Sequence, residues 1–121
     1  MNIEQYMIEA QRTCPDLGDF NNQLHMVIGA STETGELLDA YKKNFAYGKP
    51  LDIVNVKEEI FDIFWYLINL CRMLDIDPEK GMDTNINKLR SRYPEKFTQT
   101  NAIDRNLDKE RKILEELGYK D

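Results

Sequence analysis

Four acidic residues stand in two pairs of matching spacing, Glu33-Thr34-Gly35-Glu36 and Glu59-Ile60-Phe61-Asp62. Residues three apart on a helix share a face, with Cβ atoms about 5–6 Å apart. On two antiparallel helices the pairs can come level and present four carboxylates to one point. A single pair of this kind is ordinarily a solvated face. Asp62 argues for more, because Ile60, Phe61, Ile63, Phe64 and Trp65 surround it and its own polar stripe, Glu58/Glu59, Asp62, Tyr66 and Asn69, is narrow. The nearest cation, Lys57, is more than a turn away and beside the competing Glu58. A buried ionised carboxylate is unfavourable by several kcal/mol unless it is paired or bound to metal. Asp62 is therefore expected to be buried in a metal-binding carboxylate cluster.

The ligand type narrows the metal. All-oxygen ligands suit Mg²⁺, Mn²⁺ or Ca²⁺, whereas zinc favours His or Cys. A di-iron bundle would use Glu-x-x-His pairs, and the sequence has none. His25, the single histidine, precedes Glu33 by two turns and is expected to pack or to sit behind the ligands. Mg²⁺ commonly binds through few carboxylates together with substrate phosphates, so a polyphosphate substrate is expected, with Mn²⁺ as a possible substitute. Tyr66 and Trp65 could stack on a base, although aromatic residues at helical spacing more often belong to a core. Lys42, Lys43 and Lys49 could line the mouth of the site or simply be solvated.

The composition agrees with this direction. The 121-residue chain carries a formal charge of −6. Such a field repels phosphate backbones, which argues against a nucleic-acid partner, and leaves any phosphate ligand in need of cations. Cys14 and Cys71 lack the spacing of a zinc site, and Cys71 reads as a small buried hydrophobe. The N-terminus lacks the pattern of a signal peptide and the longest apolar run, Ile63 to Ile68, is too short for a membrane span. A reduced cytoplasm is the expected location, with no membrane partner.

The elements that must hold the acids read as helices throughout, with no convincing strand. A first helix is expected over roughly 2–13 and a long second one from about Phe20 to Phe45, ended by Tyr47-Gly48-Lys49-Pro50. Asp52 is a natural N-cap for a third helix to about Leu74, and Asp77-Pro78 opens a fourth to about Arg92. A charged tail helix is expected over about 104–117, stopped by Gly118, either packing on another subunit or capping the site. Gly29 and Gly35 fall inside the second helix, where each is unfavourable by roughly 1 kcal/mol relative to Ala, so close helix packing is expected there. The third helix is apolar nearly all round from Ile60 to Leu74 and needs cover on several sides. The fold class expected is an all-α antiparallel helical bundle completed by oligomerisation, as a homodimer or homotetramer.

The whole pattern resembles the MazG-like, all-α nucleoside triphosphate pyrophosphohydrolases of the small bacterial and phage type. Their signature pairs Glu-x-x-Glu with a later Glu-x-x-Asp, here separated by 22 residues. Leu24 to Gly29, Gly35 to Ala40, Tyr47 to Asp52, and Asn85-Ile86-Asn87-Lys88-Leu89-Arg90-Ser91-Arg92-Tyr93-Pro94 are similar to the family's flanking and closing blocks. The likeness covers most of residues 20–97, the core of what is expected to be a single domain over residues 1–121. Ala30-Ser31-Thr32 departs from it, since many members carry another acid before the first glutamate.

The resemblance implies Mg²⁺-dependent hydrolysis of a nucleoside triphosphate between the α and β phosphates, giving the monophosphate and pyrophosphate. It implies Glu33, Glu36, Glu59 and Asp62 as metal ligands, with Glu33 or Glu36 as the base that takes a proton from water. Asn85 and Lys88 fall where the family contacts the metal–phosphate assembly. Lys88 and Arg92 would stabilise the leaving pyrophosphate, unless they are merely a basic helix end favoured by the dipole. The competing expectation is a non-catalytic acidic helical oligomer that binds a partner protein or a divalent metal.

Overall fold

The computed structural model describes residues 1–116. They form six helices: α1 Ile3–Arg12, α2 Asp19–Tyr47, α3 Ile53–Met73, α4 Pro78–Arg92, α5 Gln99–Ile103 and α6 Leu107–Glu116. No strand occurs among the described residues. The fold is all-α, as expected. The Gly118 stop expected for the tail helix lies outside the described residues.

Several boundaries have a local cause. The Asn2 side chain accepts from the Gln5 backbone N–H while Gln5 reaches back to Asn2 N–H, a reciprocal cap that starts α1. Gly48 ends α2 at φ 66°, a left-handed conformation that glycine adopts without a Cβ penalty. Asp52 caps α3 through Asn55 N–H at 3.2 Å. Asp77 caps α4, with Pro78 at the position where its missing N–H has no helical partner. Thr98 caps the short α5, which the sequence reading did not anticipate.

The described residues group into two compact units, Met1–Leu74 and a second beginning at Asp75. In the first, α1 packs on α3 around Met7, Ala10 and Ile68, with Tyr6, Phe64, Trp65 and Cys71 against them. The Trp65 indole N–H donates to Thr13 Oγ1 at 3.1 Å and ties the end of α1 to mid-α3. Burial pushes the Cys71 thiol above its ordinary pKa, consistent with a small buried hydrophobe. The turn at 48–52 folds α2 and α3 into a helical pair. In the second unit α6 rests on α4.

The apolar cover expected for α3 is incomplete among the described residues. Ile60, Phe61 and Leu67 are 46%, 53% and 46% exposed. On α2, Leu38 and Phe45 are 70% and 92% exposed. No helix among the described residues is long and apolar enough to cross a membrane.

Candidate metal centre

The site lies on the seam between α2 and α3. Glu33 comes from the middle of α2; Glu59 and Asp62 come from adjacent positions on one face of α3. Their ligand oxygens lie within 4.8 Å of one another. That closeness, together with the contact between Gly29 and Tyr66 one turn away, makes the two helices antiparallel neighbours.

Glu59 is the buried member, 7% exposed. Its Oε1 accepts from Asn55 Nδ2 at 3.0 Å, an interaction one turn apart on α3. Its Oε2 is buried without a hydrogen-bond partner. An unpartnered carboxylate oxygen in such surroundings is unfavourable unless something positive meets it. Glu33 is half-buried. Burial, and then the neighbouring carboxylates of Glu59, Asp62 and Glu36, hold its pKa above the usual 4.5. Three carboxylates sharing one space, one with an orphaned buried oxygen, form an all-oxygen donor set that fits a hard divalent cation.

The structure changes two details of the expected cluster. Asp62 is exposed, and the expectation that it is buried is corrected. The apolar run around it is uncovered on the side of Ile60 and Phe61, so the desolvation inferred for Asp62 falls instead on Glu59, which faces α2. Glu36 is exposed and stands outside the three-carboxylate group, acting on Glu33 through its charge.

His25 and Tyr66 sit one to two turns along the same seam. The His25 ring meets Tyr66 edge-on, with centroids 5.9 Å apart, and its Nδ1 is buried without a partner. Trp65 meets Tyr66 at 4.9 Å with planes at 90°. Tyr66, a candidate for stacking on a base, is thus half-buried between His25, Trp65 and the backbone of Gly29. Lys42 and Lys43 pair with Asp39 at 3.6 and 2.9 Å on the exposed side of α2.

The remaining candidates belong to the second unit. Asn85 is exposed and Lys88 half-buried, one turn apart on α4. Arg92 at the end of α4 donates from Nε and Nη2 to the two carboxylate oxygens of Glu110, at 2.8 and 3.1 Å. Arg105 Nη2 donates to the same carboxylate at 2.7 Å. The two guanidiniums, Arg92 first, hold the Glu110 carboxyl down to about 2. Glu110 is the residue the sequence reading missed here. It lies 18 positions from Arg92 on another helix, beyond any local signal.

A family model for the MazG nucleotide pyrophosphohydrolase domain matches residues 22–97, well over half of the chain. The chain belongs to the MazG family. The matched span contains both acidic pairs and the Asn85–Pro94 block, so membership points to a nucleotide pyrophosphohydrolase with an all-α fold. No curated protein and no solved structure gives a significant match.

Proposed function

We propose that this MazG-family chain hydrolyses a nucleoside triphosphate to its monophosphate and pyrophosphate, by attack of water at the α phosphorus, with Mg²⁺ or in its place Mn²⁺ held by Glu33, Glu59, Asp62 and the neighbouring Glu36. The observation that carries the reading is the orphaned, buried Oε2 of Glu59 inside a group of three carboxylates. A bound divalent ion supplies neutralisation of phosphate charge and acidification of the attacking water. Glu33 takes the water's proton in this scheme. Glu36 beside it is the second candidate. Asn85 and Lys88 are assigned to the phosphates on the strength of the resemblance. Lys88 is the cation assigned to the leaving pyrophosphate, because Glu110 already engages the Arg92 fork.

We also infer self-association. Phe20, Leu24, Val27, Leu38, Tyr41 and Phe45 recur at near-helical spacing on α2 and are all more than two-fifths exposed. A second copy covering this stripe would remove from water apolar side chains that the described residues leave open.

Pyrophosphate release from a panel of nucleoside triphosphates, with Mg²⁺ and with chelator, tests the activity. The reading predicts Mg²⁺-dependent release that Glu59→Gln and Asp62→Asn abolish. No release from any triphosphate would leave a metal- or partner-binding module. Full turnover in both variants would put the active site elsewhere.

A further inference from the structure

Gly29 on α2 lies directly beneath the Tyr66 ring on α3. A Cβ built at Gly29 would fall inside the van der Waals envelope of Tyr66 Cε1, Cζ and Cδ1. Gly35, the other mid-helix glycine of α2, has nothing within 4 Å of such a Cβ. The close packing expected at both glycines therefore exists at Gly29 alone.

The position of this contact matters. Four residues on from Gly29 is Glu33, and four residues back from Tyr66 is Asp62. On antiparallel helices both steps lead the same way along the seam, by about 6 Å. The bare backbone of Gly29 is thus one turn from the carboxylate group on both helices. The half-buried Tyr66 ring is flanked by His25 at 5.9 Å and by Trp65 at 4.9 Å. Trp65 is itself tied to Thr13. Crowding at position 29 presses the flanked ring and the α2 backbone apart, and with them the two helices.

We propose that Gly29 is a positioning residue: its contact with the Tyr66 ring sets the gap across which Glu33 faces Glu59 and Asp62, and so the size of divalent ion that these carboxylates accept. The proposal rests on the metal-site reading given above. Mg²⁺ demands near-octahedral oxygens at about 2.0–2.1 Å, whereas Ca²⁺ takes irregular shells at about 2.3–2.6 Å. A gap widened by a few tenths of an ångström therefore penalises Mg²⁺ selectively.

Calorimetric titration with MgCl₂ and with CaCl₂, without nucleotide, tests this on wild type, Gly29→Ala, Tyr66→Ala and the double variant, with melting in chelator recorded beside it. Gly29→Ala weakens Mg²⁺ binding by about tenfold or more, while Ca²⁺ affinity changes by less than about threefold. Removing the ring removes the conflict, so the double variant returns to within about threefold of Tyr66→Ala for Mg²⁺. Equal weakening of both ions by Gly29→Ala overturns the proposal, because a merely structural glycine would not discriminate by ion size. So does a double variant that binds Mg²⁺ as poorly as Gly29→Ala. Should Gly29→Ala not fold, the double variant decides: folding with the Mg²⁺ affinity of Tyr66→Ala supports the proposal, and failure to fold refutes it. Wild type binding neither ion would remove the metal-site reading itself. Wild type binding both, with Gly29→Ala unchanged, would remove only the role of Gly29.

Discussion

Glu59→Gln should stabilise the chain without metal and lose most or all of that advantage when metal is added. The amide is nearly isosteric, and its oxygen can still accept from Asn55, so the packing around position 59 is kept. What disappears is a charge whose neighbours, Glu33 and Asp62, have oxygens within 4.8 Å. At that separation one like-charge pair is unfavourable by about 3–4 kcal/mol at an effective dielectric constant near 20, and by about 1 kcal/mol in bulk water. Asp62 is exposed and sits near the water limit. Glu33 is half-buried and sits between the two limits. A net gain of about 1–3 kcal/mol for Glu59→Gln in chelator follows, a rise in melting temperature of about 3–10 °C. In Mg²⁺ at a hundred times its dissociation constant, wild type gains about 2.7 kcal/mol and the variant gains none. Differential scanning calorimetry in chelator and in MgCl₂, at matched ionic strength, reads both arms. A variant that melts below wild type in chelator, or that keeps the full Mg²⁺ increment, would refute the reasoning that Glu59 is a buried charge awaiting a cation.

Other outcomes follow from separate parts of the molecule. Glu110, held at about 2 against a usual 4.5, contributes stability that is complete above pH 4.5 and is lost as pH falls from there toward 2. Amide exchange across α6 should therefore show a rise in opening over that window in wild type, and Glu110→Gln should flatten it; the same profile in both would dismiss the ion pairs as the cause. Thr13→Val removes the acceptor of the Trp65 indole N–H and should destabilise the chain by about 0.5–1.5 kcal/mol in chemical denaturation; an unchanged midpoint would show that the bond adds nothing. Leu38→Asp and Phe45→Asp, at side chains 70% and 92% exposed, should leave the fold intact and convert an oligomer to monomer by light scattering. A monomeric wild type would dispose of the self-association inference.

Much of the scaffold was legible because it is written locally. Asp52 and Asp77-Pro78 mark helix starts through capping chemistry that needs only the next three residues. The five residues of α5 are too few to carry a hydrophobic period, and Thr98 alone did not announce them. The two acidic pairs marked the carboxylates that α2 and α3 bring together, but not which of them is buried. Judging burial from chain neighbours favoured Asp62, because an apolar run was assumed to be covered; the side of α3 bearing Ile60 and Phe61 is open in this chain. Asn55, one turn before Glu59 and able to hydrogen-bond it, was the available sign that Glu59 faces inward. Gly29 and Gly35 look alike in sequence and differ only in what α3 places opposite them. The engagement of Arg92 by Glu110 joins residues 18 positions apart on two helices, and no periodicity reports such a pairing.

The most direct test of the catalytic account is the fate of solvent oxygen. Turnover of a nucleoside triphosphate in ¹⁸O-water with Mg²⁺ should place the label in the monophosphate and leave the pyrophosphate unlabelled, with the reaction absent in Glu59→Gln. Label in pyrophosphate or orthophosphate, or undiminished turnover by Glu59→Gln, would contradict attack at the α phosphorus directed by this carboxylate cluster.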